Sequence, residues 1–265
     1  RRRPMTNIVV LIKQVPDYES DKKLNDSDHT LDREAADAIL DEINERAVEQ
    51  ALQIKEAGEG EVTVLCAGPE RATEAIRKAL SMGADKAIHL NDEALHGSDV
   101  VQTAWALANV LGTIEGTELV ICGNEASDGR MGALPAILAE YLGLPQLTHM
   151  SKLEIADGVA KGERETDEGI FGVEASLPCI VSVSEKINEP RYPSFKGIMA
   201  AKKKPVETMT LADTNVEAAQ VGGENSASKV TSVTPKPPRA AGEKVTDEGE
   251  GGNDIAKYLV AQKII

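Results

Sequence analysis

Asn7-Ile-Val-Val-Leu-Ile12 is the stretch whose reading decides the fold. It is short, apolar without interruption and rich in β-branched residues, as expected of a strand covered on both faces in a parallel sheet. Downstream, residues 45–55 place Ala47, Val48, Ala51 and Leu52 at helical spacing between charges. Residues 61–66 (EVTVLC) read as a second strand closed by Ala67-Gly68-Pro69. The helix after it carries Ala72, Ala75, Ile76, Ala79 and Leu80 on one face, with Gly83 as its C-terminal cap. Residues 86–90 form a third strand, and Ser98 stands where it can cap a helix bearing Val101, Ala104, Trp105 and Ala108. Residues 118–123 (ELVICG) are a fourth strand and 134–142 a further helix. Strand and helix thus alternate at βαβ spacing to about residue 145, which predicts an α/β fold with a doubly wound, mostly parallel sheet of the Rossmann-like kind. Right-handed crossovers place the loops that follow its strands along one carboxyl edge, where such sheets bind ligands.

After Pro145 the rhythm changes. Residues 151–155, 159–164, 171–177 and 179–184 are strand-like without long helices between them, with turns at Asp157-Gly158 and Asp167-Glu168-Gly169. They are expected to extend the sheet at one side. From Thr210 to about Gly252 the chain is rich in Gly, Ser, Thr, Pro and acidic residues, and little of it is expected to form a core. The final stretch recovers helical spacing at Ile255, Leu259, Val260 and Ile264, with Asn253 as a candidate N-cap. The expected organisation is an α/β domain over residues 5–209 and an extended tether with a terminal helix over 210–265. That helix docks either on another subunit or on its own chain.

The 265 residues carry a formal charge of −15, which argues against general nucleic-acid binding. Aromatic content of 3% leaves no surface for base stacking. No run of eighteen apolar residues occurs, so no membrane-spanning helix is expected. Residues 1–4 are basic, but no signal-type apolar stretch follows, and they read as a leader remnant rather than an address. Cys66, Cys122 and Cys179 are scattered singly among apolar residues, as in a reduced, cytoplasmic protein.

The loop after the fourth strand, Gly123-Asn-Glu-Ala-Ser-Asp-Gly-Arg-Met-Gly-Ala-Leu-Pro135, runs directly into a helix. Backbone N–H groups at a helix N-terminus with glycines nearby suit a phosphate, with Ser127 and Arg130 as side-chain contributors. The alternative is a plain strand-to-helix turn, since the loop is neither GxGxxG nor a Walker sequence. His29, His89, His96 and His149 show no metal spacing, and no nucleophile elbow exists. His89 falls in a strand, where a packed, hydrogen-bonded role is expected.

Residues 185–205, EKINEPRYPSFKGIMAAKKKP, hold one of only two phenylalanines, Phe195, in a polar, proline-bounded setting before Lys202-Lys-Lys204. Either Phe195 packs locally, or it is an aromatic anchor offered to a partner beside a basic patch that steers encounter. The lysines either steer that partner or cap a helix end.

Four ordered matches identify the chain as similar to the electron transfer flavoprotein β-subunit family, in an actinobacterial-like form. They are Ile12-Lys-Gln-Val-Pro-Asp-Tyr18, Cys66-Ala-Gly-Pro69 with Ala79-Leu-Ser-Met-Gly-Ala-Asp85, the loop from Gly123 with Leu144-Pro-Gln146, and Glu189-Pro-Arg-Tyr192 leading to Gly197-Ile-Met-Ala-Ala-Lys-Lys-Lys204. The resemblance runs from Asn7 to Ile265. It implies a heterodimer with an α subunit that holds most of an FAD, and a β subunit that supports the flavin and binds AMP. Electrons would come from acyl-CoA and other flavin dehydrogenases and pass to a membrane-associated quinone oxidoreductase; the carrier subunit itself has no independent catalytic site.

By position, the resemblance assigns AMP contacts to Leu11, Asp41, Glu42, Ile43, Asn44 and Ala67. The same assignment covers the run Gly123, Asn124, Glu125, Ala126, Ser127, Asp128, Gly129, Arg130, Met131, Gly132, Ala133 and Leu134. It brings Tyr18 toward the flavin and makes Phe195 the dehydrogenase anchor, with Arg191, Tyr192, Ile198 and Met199 around it. Glu165 would pair with the mobile flavin domain of α, and the C-terminal arm would embrace that subunit. AMP-binding relatives commonly carry aspartates followed by Asn-Gln-Thr-Gly in the third loop. Electron-bifurcating relatives, with a second FAD in place of AMP, carry Asp-Gly-Asp-Thr-Ala-Gln; this chain shares only Asp128-Gly129 with them. The chain as a whole favours AMP. The alternatives are a bifurcating β subunit with its own FAD, and a nucleotide-binding regulatory domain of universal-stress type, which leaves Phe195 and the C-terminal arm unexplained.

Overall fold

The apolar run of the first strand lies in the interior of a nine-stranded sheet, hydrogen-bonded on both sides, and Ile8–Ile12 are all buried. The computed structural model describes residues 5–242 and 244–265; the basic residues 1–4, read as a leader remnant, lie outside them. In chain order the first half comprises β1 (Met5–Ile12), β2 (Gln14–Pro16), β3 (Ala38–Leu40), α1 (Glu42–Ala57), β4 (Glu59–Ala67), α2 (Thr73–Met82), β5 (Lys86–Leu90), α3 (Val100–Thr113), β6 (Leu119–Gly123) and α4 (Leu134–Leu142). The second half comprises β7 (Gln146–Ala156), β8 (Val159–Thr166), β9 (Gly169–Ser176), β10 (Cys179–Val183), α5 (Phe195–Ala201), β11 (Val206–Met209) and α6 (Gly251–Ala261).

The large sheet runs β11-β5-β4-β1-β6-β10-β7-β8-β9, and β2 with β3 forms a small antiparallel pair. Every pairing from β11 to β7 is parallel; β7-β8 and β8-β9 are antiparallel. The strands after Pro145 therefore do extend one side of the sheet. Asp157 and Gly158 both take positive φ, 50° and 76°, which the two-residue β7-β8 turn requires of its central pair. From β1 the chain winds outward to β4 and β5, then returns to place β6 against the opposite side of β1. That reversal makes the β1/β6 carboxyl edge the topological switch point, where ligands bind in open α/β sheets.

Alternation along β1 sorts the core. Ile8, Val10 and Ile12 join a cluster with α1 and α2, whereas Val9 and Leu11 join one with α3 and α4. The helix starts follow local polar chemistry. Asp41 caps α1, accepting the N–H of Ile43 and Asn44 at 3.0 and 3.2 Å. The cap of α3 is Asp99 rather than Ser98: Asp99 stands three residues before Gln102, and the two complete a reciprocal capping box. Ser98 instead accepts the N–H of Gly222 at 2.8 Å. α6 starts at Gly251 with Glu250 as its cap residue, two positions before Asn253 reaches the helix.

One compact unit runs through Val230 and a second spans Thr231–Ile265. The expectation that little beyond Thr210 forms core fails for Leu211, Val216 and Val221, which are buried in the α3 and α4 cluster. They sit among short 3₁₀ turns at Leu211–Asp213, Ala218–Gln220 and Gly223–Asn225, which carry no hydrophobic period for sequence to display. Within the second unit, α6 has no buried residue and leaves Ile255, Tyr258 and Val260 exposed.

Candidate functional site

At the switch point, three connections are tied together by one buried carboxylate. The Asp128 side chain, 2% exposed, lies 2.9 Å from Lys13 Nζ and 2.8 Å from Arg33 Nη2. Burial pushes the Asp128 carboxyl up, but the two cations outweigh it and hold it below the usual carboxylate range. Asp41, fully buried, uses its second oxygen to accept the N–H of Ser127 at 2.8 Å, so the cap of α1 also holds the loop after β6. Asn44 accepts the N–H of Lys13 at 2.7 Å. Gly123 lets these elements meet: a Cβ there would lie 2.7 Å from Asn44 Nδ2 and 3.0 Å from Ile43 Cγ2.

The loop amides divide into two groups. Those of Ser127, Gly129 and Arg130 already bond Asp41, Asp128 and the Ala126 carbonyl. Among the described residues, no acceptor stands opposite the N–H groups of Met131, Gly132, Ala133 and Leu134, where α4 begins. Arg130, with φ at 48°, has its guanidinium exposed, 3.9 Å from Glu125. These N–H groups are thus left without a protein acceptor where the loop runs into α4, and amides at a helix N-terminus suit an anionic oxygen.

Bordered by Lys13 and Arg33, across the carboxyl ends of β1, β4 and β5, lies a cavity of about 660 Å³. Its volume falls in the range of roughly 300–1,000 Å³ usual for small-molecule sites. Its cations are Lys13, Arg33 and Arg71, with His96 at the wall. Of the expected nucleotide residues only Ala67 lines it. Leu11 is buried in the core, and Asp41 and Asn44 are spent on the α1 cap and the β1 connection. Lys13 belongs to the Ile12–Tyr18 match, whereas Arg33 and Arg71 are isolated cations on other segments, and only the fold brings the three to one edge. Tyr18 is exposed beyond β2, and the Glu19 and Glu42 carboxylates hold its hydroxyl above the usual value.

The segment from Asn188 to Lys204 is pinned to α1 through Asn188 and Arg191 and to α2 through Ala201 and Lys204. Arg191 binds Glu49 through Nε at 2.7 Å and Nη2 at 3.1 Å, and both Nη atoms also reach Glu56. Between this clamp and the lysines, Phe195 is 80% exposed and Tyr192 94%, with Ile198 and Met199 about half exposed. Phe195 therefore does not pack locally. Ser194 caps α5, accepting the N–H of Gly197 at 3.1 Å. Of the three lysines, Lys204 is a helix-end cap: its Nζ donates to Leu80 O at 2.9 Å and to Ala84 O at the C-terminus of α2. Burial holds its ammonium below the usual lysine value.

Glu165, on β8, pairs with Lys186. His89 is buried with Nε2 2.9 Å from Gly68 O, the packed role expected of it. No cluster of metal-ligating side chains occurs among the described residues, and no helix among them is long and apolar enough to cross a membrane.

Comparison with known proteins places the chain in a family. An electron transfer flavoprotein domain matches residues 28–214. The electron transfer flavoprotein subunit beta of Mycobacterium tuberculosis (strain ATCC 25618 / H37Rv) is 71% identical over 266 residues, covering 98% of this chain and 100% of the relative. That of Megasphaera elsdenii is 33% identical over 269 residues, covering 97% and 99%. The caffeyl-CoA reductase-Etf complex subunit CarD of Acetobacterium woodii is 33% identical over 256 residues, covering 96% and 97%. The chain belongs to the electron transfer flavoprotein β-subunit family.

Proposed function

We propose that this chain is the β subunit of a heterodimeric electron carrier. It accepts electrons from acyl-CoA and other flavin dehydrogenases and hands them to a membrane-associated quinone oxidoreductase. The α subunit holds most of the FAD, and the β subunit supports that flavin, binds AMP and docks the donor. When bound, the flavin supplies the one- and two-electron chemistry. The protein's own residues bind, orient and dock.

The observation that carries this reading is the apolar platform of Tyr192, Phe195, Ile198 and Met199, exposed on a segment fixed to α1 and α2. A single aromatic anchor on a rigid base suits a small, transient redox encounter, in which the donor is gripped briefly and released. The donor groups present also fit a nucleoside monophosphate. The cavity bordered by Ala67 has the volume for a nucleotide, and its cations Lys13, Arg33 and Arg71 suit the phosphate. Tyr18 stands as the residue nearest the flavin, Glu165 as the partner of the α flavin domain, and the separate unit Thr231–Ile265 as the tether and arm laid on α. Three unpaired cysteines support a cytoplasmic location.

The test is Phe195→Ala in the FAD-loaded αβ complex. Flavin content should be unchanged, while reduction by a substrate-reduced acyl-CoA dehydrogenase slows through a higher KM. An unchanged KM would remove the docking role.

A further inference from the structure

α5 is seven residues long, too short to hold its shape alone, and it buries only Ala201. Its position must come from outside its own sequence. Neither α2 nor α5 has a basic residue in its last turn. Each receives one from the other instead. Arg77 of α2 donates through Nη1 to Ala201 O at 2.7 Å and Lys204 O at 3.2 Å, at the carbonyl end of α5. Lys204, just beyond α5, returns the contact to Leu80 O and Ala84 O at the carbonyl end of α2. At the α5 end Ala201 O otherwise has only the long 3.3 Å bond from the Lys204 N–H, and both cations face the negative pole of the helix they reach. The two elements also approach closely: a Cβ on Gly197 would lie 2.5 Å from Ser81 O.

We propose that Arg77 is a positioning residue for partner docking. It sets the direction of α5, and with it the attitude of Phe195, Ile198 and Met199, without touching the partner itself. This rests on the docking reading above. Arg77 serves both carbonyls through the one atom Nη1, and the planar guanidinium holds those N–H groups in a fixed direction, whereas an ammonium in its place would rotate freely on a flexible stem. Gly197 permits the close approach of α5 to α2 within which Arg77 reaches these carbonyls.

The test uses the FAD-loaded αβ complex with Arg77→Ala, Arg77→Lys, Gly197→Ala and, as reference, Phe195→Ala. Three quantities are measured: the dissociation constant for an acyl-CoA dehydrogenase on a biosensor surface, KM and kcat for electron uptake, and amide hydrogen exchange over residues 195–204. Arg77→Ala should weaken binding and raise KM by about tenfold, the scale of a lost charge-assisted hydrogen bond. Its kcat and flavin absorbance should stay at wild-type values, and exchange across α5 should quicken. Arg77→Lys should fall between, and Gly197→Ala should move KM in the same direction by displacing α5 from α2. If Phe195→Ala raises KM while Arg77→Ala does not, the positioning role is overturned and the docking reading stands. If neither raises KM, the docking reading falls and takes this proposal with it. Should Arg77→Ala fail to fold, wild-type KM in both Arg77→Lys and Gly197→Ala overturns the proposal.

Discussion

Replacing Arg191 with alanine should lower the melting temperature of the αβ complex by about 4–8 °C. The size follows from what is left behind. The Glu49 side chain is 6% exposed, and Arg191 satisfies both of its oxygens, at 2.7 and 3.1 Å. Stripping one partner from a buried pair costs roughly 3–5 kcal/mol, because the remaining charge stays desolvated. The Arg191 side chain is itself 34% exposed and Glu56 is 57% exposed, so solvent screens the outer half of the clamp, worth about 0–1 kcal/mol by itself. A discounted loss of about 2 kcal/mol, at roughly 2–4 °C per kcal/mol for a chain of this size, gives the stated range. Glu56→Gln should shift the melt by no more than about 2 °C.

The pH dependence adds a second constraint. Burial pushes Glu49 up, but hydrogen bonds from Arg191 and Gln53 outweigh it and hold its carboxyl below the ordinary 4.5. A depressed carboxylate stabilises the fold above its unfolded pKa and loses that contribution as pH falls through the folded value. In Arg191→Ala only the Gln53 amide and the backbone N–H of residue 191 still oppose burial, so the variant's Glu49 protonates more readily. The wild-type advantage is therefore full near neutrality and closes below about pH 4.5. Differential scanning fluorimetry across that window checks both statements. A variant that melts with the wild type at pH 7, or a gap that stays constant on acidification, would refute the reasoning.

Two further outcomes follow from the switch point and the core. Gly123→Ala should destabilise the chain by about 1–3 kcal/mol, because its Cβ would strike Asn44 and Ile43 where the β1 and β6 connections meet; chemical denaturation would show a lowered midpoint, and an unchanged midpoint would mean that this approach is not tight. Burial pushes the thiols of Cys66 and Cys122 up to about 12, so neither should be alkylated by iodoacetamide at pH 8 in the native protein, while both should react once unfolded. Intact-mass measurement distinguishes the two, and rapid native labelling of either would contradict their burial.

The parallel part of the sheet was legible because its strands are buried on both faces and its helices keep a 3.6-residue period. β1, β5 and α4 fall where their patterns place them. Legibility failed where a residue's role depends on a distant segment. Asp99 outcompetes Ser98 as a cap through the side chain of Gln102, while Ser98 is drawn to Gly222. Leu211, Val216 and Val221 look like isolated apolar residues in a polar tract until α3 and α4 cover them. At the site, Phe195 could be singled out because a phenylalanine among proline and lysine is chemically out of place. Arg33 and Arg77 could not be, because nothing local distinguishes them from other surface cations. Their roles are set by carbonyls and a carboxylate on other elements of the fold.

The account turns on what the αβ complex carries. Purified complex should be denatured, and the released nucleotides identified and counted by mass spectrometry against the protein concentration. One FAD and one AMP per heterodimer is the predicted result. Two FAD with no AMP would contradict it and make the chain the β subunit of a bifurcating enzyme, and ATP without any flavin would remove the electron-carrier reading altogether.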